Sequence, residues 1–276
     1  MEPFLLKTGE LSYFSIPSWE KISPSLSVGF SIREGGTSTG NFNSFNLALH
    51  VRDSDENVIE NRKKLAAAIN FPFSAWTTAE QVHGNNVEII TLAERGRGRN
   101  RLEDSISNTD GILTNVPDIL LTSYYADCVP LYFFDPVKKI IGLAHAGWKG
   151  TVLKIGEKMV SEMIKNFNSR PEDIKVVIGP SIGQCCYEVN KQVINPLKAE
   201  LTCIPDEAIL VKGNEHFNLD LKKINNQIMI KAGILPQNIE ISSLCTGCNT
   251  DLFFSHRMEN GITGRMASWI GMRKDE

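Results

Sequence analysis

Apolar residues recur at helical spacing in three stretches of the chain. Val58, Arg62, Leu65 and Ile69 predict a helix over about 54–69, and Val152, Ile155, Met159, Met163 and Phe167 predict one over 151–167. Leu221, Ile224 and Ile228 predict a third over 221–232, closed by Gly233, a residue suited to a helix cap. Short runs rich in β-branched and aromatic residues read as strands at 28–32, 86–92, 118–125, 130–134, 140–145, 174–178, 239–243 and 265–271. Strands therefore outnumber helices by more than two to one, and the regular strand-helix alternation of a doubly wound parallel sheet is missing. The pattern predicts an α+β fold of mixed, largely antiparallel sheets flanked by helices, organised as one domain over 1–276.

Composition narrows the functional classes. With 276 residues, 42% of them hydrophobic, the chain can bury one large core or two small ones; one is expected, and no internal repeat is seen. A net charge of −3 and a pI near 6 give no basic face for a phosphate backbone, so no nucleic-acid partner is expected. No apolar run reaches the ~18–20 residues of a membrane span, and "MEPFLLKTGELSYFSI" lacks the basic end and long apolar core of a signal peptide. A cytoplasmic protein without membrane attachment is expected. Six cysteines are too sparse for a disulfide scaffold, which leaves each as a thiol, a metal ligand or a nucleophile. The segment "ERGRGRNRLEDS" at 94–105 reads as a mobile surface loop, although its four arginines could also meet an anion.

Candidate chemistry centres on "ADCVPLYFFDPVKKIIGLAHAGWKG", residues 126–150. A hairpin with a two-residue turn at Pro136-Val137 sets Cys128 opposite His145 on one face, close enough to share an ion. A four-residue turn would offset the pair, and Pro130 places Cys128 near the end of the regular ladder. Read without a ligand, the same pair is a small buried thiol and a hydrogen-bonded core histidine. "EQVHGNN" at 80–86 adds His83 at a loop edge. Two histidines, one cysteine and an open fourth position describe a catalytic zinc site that activates water.

Together with "GGTSTGNFNSFNLALHV", "QVHG", "TDGILT", "VIGPSIGQCCYEV", "LCTGC", "FFSHR" and "TGRMASWIG", these motifs resemble the YfiH-like, laccase-domain family along nearly the whole chain. Members of that family are described both as polyphenol oxidases and as purine nucleoside phosphorylases. The resemblance implies a single cytosolic domain with a catalytic zinc on His83, Cys128 and His145. It also implies phosphorolysis of adenosine, inosine and methylthioadenosine, with adenosine deamination as a second activity. Many relatives carry tyrosine where this chain has His256, so no ligand role is carried over to that residue.

That chemistry assigns roles to other side chains. Phosphate needs cations and amides: Arg33 stands beside a glycine-rich turn, and Lys149 stands ahead of a helix start, with Arg257 and Arg265 as weaker candidates. Either cation could equally be an ordinary surface residue. Asp127 is the expected proton shuttle, or else a hydrogen-bond partner orienting His83 or His145, with Asp110 and Glu188 in reserve. Asn46 would bond base or ribose, or cap its own turn. Cys185, Cys186, Cys245 and Cys248 miss zinc-ribbon spacing. Neighbours in an extended chain point oppositely, so these four read as ordinary structural cysteines rather than a second metal site or a redox pair. The rival functions are a copper polyphenol oxidase, a metal-free Cys-His hydrolase using Cys128 and His145, and a non-catalytic cell-wall editing factor. The partners implied are nucleoside and phosphate, acting on a monomer or homodimer.

Overall fold

A computed structural model describes residues 1–202, 204–213 and 215–274; Cys203 lies outside the described residues. The chain begins with β1 (Leu5–Lys7), β2 (Tyr13–Ser15), α1 (Pro17–Ile22), β3 (Leu26–Ser31), α2 (Asp55–Ala68), β4 (Trp76–Thr78) and β5 (Val87–Ile89). Its middle holds β6 (Gly111–Thr114), β7 (Leu120–Tyr125), β8 (Val129–Asp135), β9 (Ile140–Ala146), α3 (Trp148–Val152), α4 (Ile155–Phe167) and β10 (Lys175–Ile178). The remainder is β11 (Glu188–Asn190), α5 (Lys191–Glu200), β12 (Ile209–Gly213), β13 (His216–Leu219), α6 (Leu221–Lys231), β14 (Ile239–Ile241) and β15 (Met266–Met272).

Two six-stranded sheets dominate, ordered β1-β2-β3-β15-β7-β4 and β14-β10-β8-β9-β6-β5, with a small three-stranded sheet β11-β13-β12 beside them. Most pairings are antiparallel; β4 with β7, β5 with β6, and β10 with β14 are parallel. This is the expected α+β architecture. Because successive residues of a strand face opposite sides, Tyr132 and Phe134 of β8 join Phe30, Tyr125 and Ile270 of the other sheet in a core between the sheets. Val129, Leu131 and Phe133 face away, into a core closed by α4, α5 and α6. On the far side of the first sheet, Leu65 and Ala66 of α2 cover Leu120, Tyr124 and Trp269. The layers thus run helix, sheet, sheet, helix. Burial on both faces explains why β7, β8 and β9 read as continuous apolar runs rather than alternating ones.

All eight predicted strands and the three predicted helical segments are present, with one interruption. Lys154 takes a left-handed conformation (φ 55°) and splits the 151–167 segment into α3 and α4. The expected mobile loop at 94–105 is instead tied down. Arg62, buried on α2, donates to the Leu47, Gly98 and Arg99 carbonyls, while Arg95, Arg97 and Arg99 bond the backbone at Asp118, Asp104, Ser105 and Gly96. Arg97 and Arg99 serve the loop's own backbone, which lacks a regular ladder to satisfy its carbonyls, and Arg95 ties the loop to Asp118. Among the described residues, no helix is long and apolar enough to cross a membrane.

Candidate metal centre

The hairpin that carries two of the expected ligands has a four-residue turn, not a two-residue one. Asp135 pairs with Ile140 and Pro130 with His145, so Cys128 sits one step before β8 and is offset by two from direct opposition to His145. A slip of two preserves the face on which a side chain stands. The register expectation was wrong, and the pairing of the two side chains survived because the error was even. His83 comes in from the loop that leads to β5. One ligand atom from each of His83, Cys128 and His145 lies within 4.8 Å of the others, and the two imidazole rings meet edge to face with centroids 4.7 Å apart.

Asp110, at the foot of β6, builds this arrangement. Gln81 and His83 both adopt left-handed backbone (φ 63°), which turns successive amides inward as an anion-binding nest. The Asp110 carboxylate fills it, accepting from the Val82, His83 and Gly84 amides at 3.1, 3.0 and 2.7 Å. Its Oδ1 also lies 2.9 Å from Nδ1 of His145. An ionised carboxylate only accepts, so His145 donates from Nδ1 and presents Nε2 to the site. Gln81 clips the same loop to β7, donating to the Tyr124 carbonyl and accepting its amide. Asn85 ties it to the break between α3 and α4 through the Leu153 carbonyl.

The residues fit a metal ion. Tetrahedral coordination with bonds of about 2.0–2.3 Å sets ligand atoms about 3.3–3.8 Å apart, inside the observed bound. Gly147 keeps the space open, since a Cβ there would lie 3.0 Å from Cys128 Sγ and 3.1 Å from His83 Cδ2. Burial would raise the Cys128 thiol, but the charge of His145 and hydrogen bonds from His145 and His83 bring it down to about 6. Burial would lower His145, yet the Cys128 thiolate and the Asp110 hydrogen bond push it up to about 9. Asp110 is held below the ordinary carboxylate value because its bonds to His145, Gly84 and His83 outweigh burial. Each shift favours the thiolate beside the imidazolium, and a cation taking both side chains as ligands would displace the histidine's proton.

The triad opens into a cavity of about 690 Å³ lined also by His50, Tyr124, Tyr125, Asp127, Trp148, Lys149, Tyr187, His256, Arg257 and Arg265. Asp127 reaches the cavity but bonds neither histidine: its carboxylate accepts from the Thr246 hydroxyl at 2.6 Å and the Arg257 amide at 2.9 Å. The orienting role considered for Asp127 belongs to Asp110. Lys149 lines the cavity from within the first turn of α3, its Nζ 5.7 Å from the Trp148 ring centroid. Arg33 does not line the cavity. Its guanidinium pairs with Glu259 at 3.0 Å, bonds the Thr250 carbonyl and stacks on Phe254. Asn46 is buried behind the cavity wall, accepting the Arg265 amide and donating to Asp53. Glu188 points to solvent and pairs with His216.

Sequence reasoning passed over His50 and the aromatic walls, and it carried no ligand role over to His256, which lines the cavity. His50 is lowered to about 4 by burial and by the charges of Arg265 and His145, so it is neutral near physiological pH. The scarcity of histidine was the available signal: of five in the chain, four line this cavity.

The fold and site define an α+β chain whose two packed sheets bring two imidazoles and one thiol, close enough to share a metal ion, to the base of a cavity. The chain belongs to the family described as multi-copper polyphenol oxidoreductase laccase, an enzyme family whose model matches residues 27–273. It is 40% identical over 275 residues to purine nucleoside phosphorylase YlmD of Bacillus subtilis, covering 99% of this chain and 98% of that one. A crystal structure of Bacillus licheniformis hypothetical protein YfiH superposes with a TM-score of 0.94 at 41% identity, covering 99% of this chain and 100% of that one. YlmD from Geobacillus stearothermophilus superposes at 0.93 with 36% identity, covering 99% and 100%.

Proposed function

We propose that this chain is a zinc-dependent purine nucleoside phosphorylase that cleaves adenosine, inosine and methylthioadenosine and also deaminates adenosine. The observation that carries the reading is the convergence of three elements in one cavity: the His83, Cys128, His145 donor set, the aromatic walls, and the cations Lys149, Arg257 and Arg265. The relative of Bacillus subtilis named a purine nucleoside phosphorylase supports it, and the packed sheets favour one domain over 1–276. A cytoplasmic monomer or homodimer completes the proposal.

A bound zinc supplies a Lewis acid and an activated water. Tyr187, over which the Arg257 guanidinium stacks at 5.2 Å, and Trp148 offer faces for a purine ring. Lys149 and Arg257 hold the phosphate by charge-assisted bonds. As a phosphate oxygen bonds to C1′, the bond from C1′ to the purine nitrogen breaks; its electron pair leaves with the base, which takes up a proton. Asp127, fixed by Thr246 and the Arg257 amide, shuttles the proton in deamination. Zinc is favoured over copper because among the described residues the histidines outside the triad do not gather into further copper sites. His216 is at the surface, and His50 and His256 stand apart in the cavity wall.

Incubating the purified protein with adenosine or inosine, with and without phosphate, tests the reading. Free base and ribose 1-phosphate are expected only with phosphate present. Base release at equal rates without phosphate would replace the phosphorylase with a nucleoside hydrolase, and phenol oxidation without nucleoside cleavage would return the copper enzyme.

A further inference from the structure

The geometry removes the objection that Cys185 and Cys186 cannot face Cys245 and Cys248 together. The objection that neighbouring side chains point oppositely holds for extended chain, but residues 184–186 form a turn. There Cys185 and Cys186 face the same way, toward the C-x-x-C knuckle of 245–248. One sulphur from each lies within 4.8 Å of all the others. Three of the separations are 3.6 Å (Cys185 to Cys245), 3.4 Å (Cys185 to Cys248) and 3.4 Å (Cys186 to Cys248). A disulfide requires about 2.05 Å. A tetrahedron of thiolates around one ion at about 2.3 Å has edges of about 3.8 Å, close to what is observed.

We propose that these four cysteines form a second metal site, a closed four-thiolate zinc site separate from the catalytic triad. All four tetrahedral positions are filled by protein, which leaves none for water or substrate and makes the site structural. Soft thiolates select zinc over the hard cations that prefer oxygen. The surroundings suit an anionic cluster: the Gly183 amide donates to Cys245 Sγ at 3.1 Å. Glycines flank the sulphurs where side chains would intrude. A Cβ at Gly247 would lie 2.8 Å from Cys186 Cβ and 3.1 Å from its Sγ, and one at Gly183 would lie 3.2 Å from Cys185 Sγ.

The site clasps two loops, one lining the cavity through Ile182 and Tyr187 and the other bonded to it from behind. The first holds Ser181, Ile182 and Tyr187; the second holds Thr246, whose amide bonds the Ser181 carbonyl and whose hydroxyl fixes Asp127. Ile182 in turn donates its amide to the Asp127 carbonyl. The ion therefore fastens the support of Asp127 without touching substrate.

Zinc content distinguishes this site from the triad. Protein purified under reducing conditions from zinc-supplied cells is expected to hold two zinc ions per chain. The double variant His83→Ala/His145→Ala should retain one, and Cys185→Ser/Cys248→Ser should lose one and unfold at lower temperature. Cobalt substitution adds a spectroscopic arm: strong thiolate-to-cobalt absorption should persist in the histidine variant. If the cysteine variant fails to fold, the histidine variant alone decides the matter. One zinc in the unmodified chain and none in the histidine variant would overturn the proposal, as would a denatured mass lower by the hydrogens of a disulfide without added oxidant. Neither result depends on nucleoside turnover, so the phosphorylase reading stands or falls separately.

Discussion

The triad and the four-cysteine cluster gather soft donors by opposite means. His145 comes from a central strand and Cys128 from its partner's edge, with both backed by a core between two sheets. The four cysteines stand on two loops, with Cys185 and Cys248 exposed. At the triad, three donors face a cavity, and the buried Asp110 carboxylate holds His145 and the loop that carries His83. At the cluster, the donors face one another and the supporting bonds come from local amides. The difference shows how rigidity and an open position suit a site for chemistry, while four convergent thiols suit a clasp.

The largest effect expected is at Cys128. Cys128→Ala should drop nucleoside turnover below detection while circular dichroism and the unfolding midpoint change little; unfolding during purification would mean that the triad, not the cluster, is the clasp. Asp110→Asn keeps the shape of the side chain but loses the charge that holds His145 and the 82–84 amides. Zinc affinity at the triad, measured by competition with a chelator, should fall about 10- to 100-fold, and an unchanged affinity would deny Asp110 its orienting role. Lys149→Ala should weaken apparent phosphate affinity about 10- to 100-fold, the equivalent of ~1.5–3 kcal/mol for a charge-assisted contact, and leave deamination nearly intact. Equal losses in both reactions would place Lys149 elsewhere in the mechanism.

The smallest effect is a titration. In metal-free protein the Cys128 thiol, brought down to about 6, is thiolate above that pH and protonated below it. Its alkylation, followed at that residue by mass spectrometry, should stay fast from neutral pH down to about 6 and then slow. His145→Ala removes the favourable charge, so the midpoint should move upward and leave the thiol sluggish at neutral pH. A midpoint that stays put would show that His83 alone sustains the thiolate.

Much of the frame was legible because its signals are local. Long apolar runs marked β7, β8 and β9, and periodicity marked α2, α4 and α6. The three-residue strands β1, β2, β4 and β11 went unread, whereas β5 and β14, equally short, stand in runs of β-branched residues, and α5 hides behind an internal Pro196. At the site, Cys128 and His145 could be paired despite the wrong turn because side-chain facing repeats every two residues. Asp110 was underrated because its partners lie 26 to 35 positions away, and adjacency in sequence favoured Asp127 instead. Arg33 was overrated for a similar reason. A glycine-rich turn beside it suggested an anion, whereas Glu259, 226 positions on, takes its charge.

The order in which the sheets can be completed follows from one pairing. β15 lies between β3 and β7, joining Phe30 to Ser268 on one side and Ser268 to Ser123 on the other. β7 leads directly to Cys128 and supplies Tyr124 and Tyr125 to the cavity. During synthesis the first sheet therefore lacks an inner strand until β15 has emerged, and contacts of such long sequence separation form slowly. The candidate ligands His83, Cys128 and His145 are all translated well before the strand that completes their scaffold. A chain shortened by its final strand would carry every donor and still have no finished site.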